Sequence, residues 1–125
     1  MGLGGDVAPE LGSDAPVPAA PDFSCATQRE NGRAVVSVRG DIDIASAPIL
    51  YAALQDAAAA ATESIVADFT DVTFIDSSGV QCLLAAQRDV VRDGTTFVVQ
   101  RPRPNVALVF ELLGLTEQLV VEGGP

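Results

Sequence analysis

The sequence predicts a single α/β domain, in which a mixed β-sheet of four to five strands packs against about four helices. Short apolar runs typical of strands alternate along the chain with longer segments that have a helical period. The Asn31-Gly32 pair is a strong signal for a tight hairpin turn between the first two strands. The 125 residues, of which 48% are hydrophobic, suit one domain with a full core.

In the first half of the chain, strands are expected at residues 23–29, 34–39 and 64–69. Val36 and Val38 alternate with polar residues, which is typical of a strand with one solvent-exposed face. A helix is expected between the second and third strands, ending near residue 61. Ser46 is its predicted N-cap, and Pro48 falls in its first turn, where the missing N–H costs nothing.

In the second half, a helix is expected at residues 79–92, closed by Asp93-Gly94. Its apolar stripe consists of Val80, Leu83, Leu84, Val90 and Val91. A strand follows at residues 97–100, and a short helix is expected from Asn105 to Leu113, ended by Gly114. Residues 119–121 are predicted to form an edge strand.

Residues 68–79, Asp-Phe-Thr-Asp-Val-Thr-Phe-Ile-Asp-Ser-Ser-Gly, are the most informative segment for function. A buried strand is expected to end here in a short acidic loop that brings Ser77 and Ser78 to the start of a helix. Backbone N–H groups at a helix start favour an anion, so such a hydroxyl is well placed to carry a phosphate. Ser78 and Gln81 also fit a capping box, in which the serine caps the helix. The two interpretations are compatible, and the local pattern leaves both open.

A second acidic loop is expected at residues 40–43, Gly-Asp-Ile-Asp. Loops at the carboxyl ends of strands gather at one edge of an open α/β sheet, where binding sites form. We therefore expect Asp41, Asp43 and Asp76 to lie near Ser77, Ser78 and Gly79.

The residues that are absent argue against autonomous catalysis. The chain has no His and no Lys, and all seven basic residues are Arg. Ser-His-Asp and Cys-His catalytic arrangements and the P-loop are therefore excluded, and no catalytic residue is predicted. Cys25 and Cys82 are expected to be buried, reduced thiols, because their spacing does not fit a zinc site. No metal and no cofactor are expected.

The net charge of −10 disfavours binding to nucleic acid or to an anionic membrane. No apolar run is long enough to span a bilayer, and the start of the chain does not have the pattern of a secretory signal, so the cytoplasm is the expected location. Residues 1–21 are predicted to be a disordered tail rich in Gly, Ala and Pro, residues 22–122 the folded domain, and residues 123–125 a short C-terminal tail.

About four-fifths of the chain resembles the STAS domain, the family of anti-sigma-factor antagonists and sulphate-transporter tails. The matching segments, in order, are residues 38–43, 46–48, 65–79 and 110–115. Residues 68–79 are the most specific of these, and the chain looks like the stand-alone bacterial antagonist. It departs from the family pattern at Gly79-Val80, where the family has glycine-leucine, and in its acidic, Pro-rich tail.

The resemblance implies a regulatory binding protein. In the family, a serine kinase of the histidine-kinase-like ATPase type, which is also an anti-sigma factor, phosphorylates the second serine of the motif, here Ser78. The unphosphorylated form binds this kinase and releases a sigma factor, a partner switch that regulates transcription in stress responses, and a phosphatase reverses the modification. The acidic residues beside the phosphorylated serine in the family fall on Asp43 and Asp76.

Two other functions compete with this one. The first is a STAS binding or scaffold subunit, such as a lipid-transport accessory or a component of a stress complex, in which Ser78 is only a helix cap. The second is a hydrolase with Ser77 or Ser78 as nucleophile, which is disfavoured because both His and a Gly-x-Ser-x-Gly elbow are absent.

Overall fold

The structure, a computed structural model, describes residues 23–60, 63–115 and 118–123. These residues form five strands and three helices, whereas about four helices were expected. In chain order the elements are β1 (Ser24–Glu30), β2 (Arg33–Ile42), α1 (Ala47–Ala60), β3 (Ser64–Ile75), α2 (Ser77–Arg92), β4 (Thr96–Gln100), α3 (Pro104–Leu112) and β5 (Val120–Glu122). The predicted tail at residues 1–21 and the expected end of the first helix at residue 61 lie outside the described residues.

The sheet is mixed, as predicted, with the strands in the order β1-β2-β3-β4-β5. The strand β1 pairs with β2 in antiparallel fashion, and the other neighbouring strands are parallel. Asn31 and Gly32 have φ angles of 52° and 82°, the positive values that a two-residue hairpin turn requires, so the predicted turn is confirmed.

All three helices lie on one face of the sheet. The three parallel crossovers proceed across the sheet in the same direction, and their right-handed sense puts α1, α2 and α3 on the same side. The core forms between this layer and the sheet, where Leu50, Leu54 and Leu83 are fully buried. Phe69 and Phe110 join α3 to the sheet, with ring centroids 6.4 Å apart.

The strands β2 and β3 extend further than the sequence predicted. The strand β3 runs through to Ile75 because its register against β2 shifts twice, between Ser37 and Arg39 and between Gly40 and Asp41. At each shift β3 has one more residue than β2, which is the arrangement of a β-bulge. The two predicted acidic loops are therefore mostly strand, and the turns that leave the sheet begin at Asp43 and Asp76.

The other elements agree with the predictions apart from their ends and one apolar stripe. Val80, Leu83 and Val90 of α2 are buried as expected, but Leu84 is half-buried and Val91 is 50% exposed. Beyond the end of α2, Gly94 adopts a positive φ of 86° and donates its N–H to Val91. Within the described ranges, no helix is both long and apolar enough to cross a membrane.

Candidate functional site

The candidate site lies where β2 and β3 end side by side. Ile42 and Ile75 are partners in the parallel register, so the next residues, Asp43 and Asp76, leave the sheet as neighbours. The backbone N–H of Asp76 donates to the carbonyl oxygen of Ile42, with a nitrogen–oxygen distance of 3.1 Å. The expectation that these two acidic residues meet at one edge is therefore confirmed for the backbone.

Asp76, and not Ser78, caps helix α2. The backbone of Asp76 is extended, with φ −114° and ψ −171°, and its Oδ1 accepts the N–H groups of Ser78 at 2.8 Å and Gly79 at 3.2 Å. The predicted capping box of Ser78 and Gln81 is wrong, because the helix begins two residues earlier than expected and Ser78 is already its second residue. The Ser78 side chain is thus not needed to begin the helix.

Asp43 has a similar role before helix α1. Its Oδ1 accepts the N–H groups of Ala45 at 3.0 Å and Ser46 at 3.1 Å, and the Ser46 hydroxyl in turn accepts the N–H of Asp43 at 2.9 Å. This reciprocal pair has the pattern of a capping box around the turn at residues 43–46, which precedes α1. Ser46 stands directly before α1, at the predicted N-cap position, but its hydroxyl bonds to the N–H of Asp43 and the carbonyl oxygen of Asp41. The bond from the Ser46 N–H, supported by that from Ala45, lowers the pKa of the Asp43 carboxyl.

Gly79 lets the first turn of α2 approach the sheet closely. A Cβ atom at this position would lie 2.6 Å from Cγ2 of Ile42 and 2.7 Å from Cγ1 of Ile75, well inside van der Waals contact. Both isoleucines are buried core residues at the ends of their strands. The glycine therefore seats the N-terminus of α2, with Ser77 and Ser78, directly on the sheet edge.

The hydroxyls of Ser77 and Ser78 are not engaged by other groups in the described part of the chain. Ser77 is exposed and Ser78 is half-buried, and among the described residues neither hydroxyl forms a hydrogen bond. The N–H groups of Ser78 and Gly79 are occupied by the Asp76 carboxylate. The expectation that the helix start offers these N–H groups to a phosphate is therefore wrong, and a phosphate here would stand beside a carboxylate instead.

Asp41 lies at the same edge but on the other face of the sheet. It precedes Ile42, whose side chain is in the core, and successive side chains of a strand point to opposite faces. Its carboxylate accepts a hydrogen bond from the Thr73 hydroxyl on β3. The Asp41 side chain is thus directed away from the helix start. The other predicted site residues lie together at this edge: Asp43, Asp76, Ser77, Ser78 and Gly79.

Two exposed apolar side chains at this edge were missed by the sequence analysis. Ile44, directly after Asp43, is 78% exposed, and Phe74, the register partner of Asp41, is 47% exposed. The alternation of apolar and polar residues does not predict that these two side chains are exposed. A β-bulge interrupts the alternation before Phe74, and Ile44 lies in the turn before α1. Phe74 precedes the core residue Ile75, so its side chain points to the same face as Asp41, away from the helix start. Ile44 follows Asp43 directly, and an exposed apolar side chain next to carboxylates is typical of a surface that binds another protein.

The cysteines lie elsewhere and are free. Cys82 is buried and Cys25 half-buried, so the prediction of buried reduced thiols holds fully for Cys82 and in part for Cys25. Burial raises the pKa of Cys25 to about 11 and that of Cys82 to about 12. In the described part of the chain, no group of three or more His, Cys, Asp or Glu side chains is arranged to hold a metal ion.

Comparison with known proteins gives one matching family and several similar structures. The family model described as "Mlab, STAS domain" matches residues 25–122. An anti-sigma factor antagonist from Mycobacterium paratuberculosis is similar at 28% identity and a TM-score of 0.73, over 85% of this chain and 90% of that one. No protein of curated function matches in sequence.

Two further structures are similar in fold. The anti-sigma factor antagonist SpoIIAA in its unphosphorylated form has a TM-score of 0.67 at 23% identity, over 78% of this chain and 87% of that one. A sulfate transporter family protein from Wolinella succinogenes has a TM-score of 0.65 at 19% identity, over 74% and 78% of the two chains.

Proposed function

The chain belongs to the STAS domain family, and we propose that it is an anti-sigma-factor antagonist controlled by phosphorylation of Ser78. In this proposal the unphosphorylated protein binds an anti-sigma factor that is also a serine kinase of the histidine-kinase-like ATPase type, and a sigma factor is released. Phosphorylation by that kinase ends the binding, and a phosphatase restores it. The protein acts by binding in the cytoplasm and is not itself an enzyme.

One observation carries the proposal: two serine hydroxyls that form no hydrogen bond within the described residues stand at a helix start beside two capping carboxylates. Asp76 caps α2 and Asp43 caps the turn before α1, each directly after one of two neighbouring parallel strands. Ser77 and Ser78 follow Asp76 directly. Because the carboxylates are held by backbone N–H groups, their positions are fixed before any partner arrives. A kinase that approaches with a metal-bound nucleotide therefore meets a preformed acidic edge.

The switch follows from local charge. A phosphoryl group adds about −1.5 to −2 charge at neutral pH, which is small against the net charge of −10. At an interface where Asp43 and Asp76 already lie, however, added like charge costs several kcal/mol, and each ~1.4 kcal/mol lowers affinity about tenfold. Two to three orders of magnitude are thus accessible, roughly, without unfolding the domain.

Ile44 supplies an apolar part of the proposed interface. Exposed large apolar side chains at the centre of an interface carry most of its binding energy, while charged groups around them set orientation and specificity. Ile44→Ser is therefore expected to weaken partner binding by at least about tenfold. Leu112→Ser is the matched control, because Leu112 is 75% exposed on α3, outside the proposed site.

The direct test is to incubate the protein with the cognate kinase and Mg-ATP and to map the phosphate by mass spectrometry. We expect one phosphoryl group on Ser78, abolished by Ser78→Ala and kept by the adjacent control Ser77→Ala. Without the kinase, no ATP hydrolysis and no labelling are expected, since the chain has neither Lys nor His. A phosphate on Ser77, the more exposed of the two serines, would contradict the assignment.

A second candidate function is a STAS subunit of a lipid-transport or stress complex. The description of the matching family model, "Mlab, STAS domain", and the similar sulfate transporter family protein favour it. This candidate assigns Ser78 only a capping role, but the cap of α2 is Asp76. Affinity purification separates the two candidates: a small ATPase of the kinase type supports the antagonist, and transporter components support the subunit.

A further inference from the structure

An open groove lies along the C-terminal half of α2, away from the proposed phosphorylation site. It has a volume of about 670 Å³ and is lined by Leu84, Gln87, Arg88, Val91, Arg92 and Gln118. We call it the α2 groove. The side-chain amide of Gln87 donates to the carbonyl oxygen of Gln118 at 2.8 Å, which ties the helix to the chain segment before β5.

The groove combines apolar and basic side chains in one stripe of the helix. Leu84, Arg88 and Val91 are separated by four and three residues, so they follow one another along the same side of α2. Val91 is 50% exposed and Leu84 half-buried, although the sequence pattern predicted both for the core. The apolar floor of the groove is thus left without a covering element by the described residues.

The charge of the groove is opposite to that of the chain as a whole. The three helices contain two basic residues, Arg88 and Arg92, and both line this groove, whereas the net charge of the protein is −10. Arg92 pairs with Asp89 at 3.3 Å, but within the described ranges Arg88 forms no ion pair. Asp89 is also engaged by the Tyr51 hydroxyl at 2.7 Å, so its carboxylate is shared.

We propose that the α2 groove binds an acidic amphipathic helix of a partner protein. From Leu84 to Arg92 the groove follows two turns of α2, a length of about 12 Å, which suits apolar anchors spaced three and four residues apart on a docked helix. The guanidinium groups of Arg88 and Arg92 would form ion pairs with carboxylates on the flanks of that helix. Nucleic acid is a poor occupant, because it carries one negative charge per about 1.7 Å and offers no apolar anchors to Leu84 and Val91.

This surface is independent of the Ser78 switch. Ser78 and Arg88 are ten residues apart on α2, which corresponds to about 15 Å along the helix axis. The screening length at physiological ionic strength is about 8 Å, so a phosphate at Ser78 has little electrostatic influence in the groove. The groove therefore holds its partner in both phosphorylation states, while the edge at Ser78 responds to the kinase.

The test uses a fluorescein-labelled synthetic helix of about 16 residues, with Leu at positions three and four apart and Glu on both flanks. Companion peptides have Gln or Lys in place of every Glu. Fluorescence anisotropy with the full chain should show binding of the Glu peptide, at least about tenfold weaker binding of the Gln peptide, and a similar loss with Arg88→Glu. The Lys peptide should bind Arg88→Glu better than wild type, a gain that misfolding does not produce.

Three controls fix the location of binding. Val91→Ser should weaken binding several-fold, whereas Arg33→Glu, the same charge reversal on the sheet face away from the helices, should change it less than about twofold. Ser78→Asp should leave binding of the Glu peptide unchanged, so this experiment tests the groove separately from the proposed switch. Equal binding of the Glu and Gln peptides, or no binding at about 1 mM, would overturn the proposal.

Discussion

Replacing Gly79 by alanine tests how closely the start of α2 must approach the sheet. The new Cβ would lie 2.6 Å from the Ile42 side chain and 2.7 Å from that of Ile75, and both isoleucines are fixed in the core. Either the two side chains leave their preferred rotamers or the first turn of the helix moves away. The second response displaces Ser77 and Ser78 together with the helix.

The expected loss of stability is about 1–2 kcal/mol. Overpacking of a well-packed core costs about 1–3 kcal/mol. Against this, alanine is better than glycine inside a helix by up to about 1 kcal/mol, and this gain is smaller in the first turn. The steric cost is therefore larger than the gain in helix propensity.

Urea denaturation followed by circular dichroism measures this loss, and titration with the anti-sigma factor measures the effect on the site. Gly94→Ala is the matched control at the other end of α2, because its Cβ meets no atom within 4 Å while its φ of 86° adds backbone strain. We expect Gly94→Ala to lower stability without changing partner affinity, and Gly79→Ala to lower both. If Gly79→Ala is as stable as wild type and binds the partner equally well, the close approach does not position the site.

Three further predictions concern the caps and the thiols. Asp76→Ala should lower the free energy of unfolding by about 1 kcal/mol in urea, whereas Asp76→Asn, which keeps a capping oxygen, should remain close to wild type. Because the N–H of Ser46 lowers the pKa of Asp43, the ionised Asp43 carboxylate stabilises the folded protein. This stabilisation should be lost as pH falls from the usual pKa of 3.8 through the lower pKa of the folded state, so the stability of Asp43→Asn should depend less on acid pH in the same assay. Cys25 and Cys82, with pKa values of about 11 and about 12, should react slowly with an aromatic disulfide reagent at pH 8 and rapidly once unfolded; fast labelling of the native protein would contradict their burial.

The order of elements could be predicted because local signals and hydrophobic period agree in most of the chain. The turn at Asn31-Gly32 needs two positive φ angles, which few residue pairs other than Asn-Gly accept, so its position is clear from sequence. The end of β3 could not be predicted, because bulges interrupt the period of two on which a strand is recognised. A pattern search therefore ends the strand at Phe69, six residues too early.

The site was predictable in its location but not in the roles of its residues. Asp43 and Asp76 meet because carboxyl ends of parallel strands share one edge, which follows from topology alone. Asp76, Ser77 and Ser78 are all residue types that cap helices, and the backbone conformation, which the sequence does not specify, selects Asp76. The sequence pattern groups Asp41 with the others because it does not reveal that β2 continues through Ile42. Within a strand the side chains alternate between faces, and this alternation directs Asp41 away from the site.

The most direct test of the central claim is the affinity of the anti-sigma factor for the protein with and without a phosphoryl group on Ser78, measured by calorimetry at physiological salt. We predict that unphosphorylated protein and Ser78→Ala bind equally well, that Ser78→Asp binds more weakly, and that the phosphorylated form loses about two to three orders of magnitude with unchanged circular dichroism. Equal affinity of the phosphorylated and unphosphorylated forms would contradict the proposed switch.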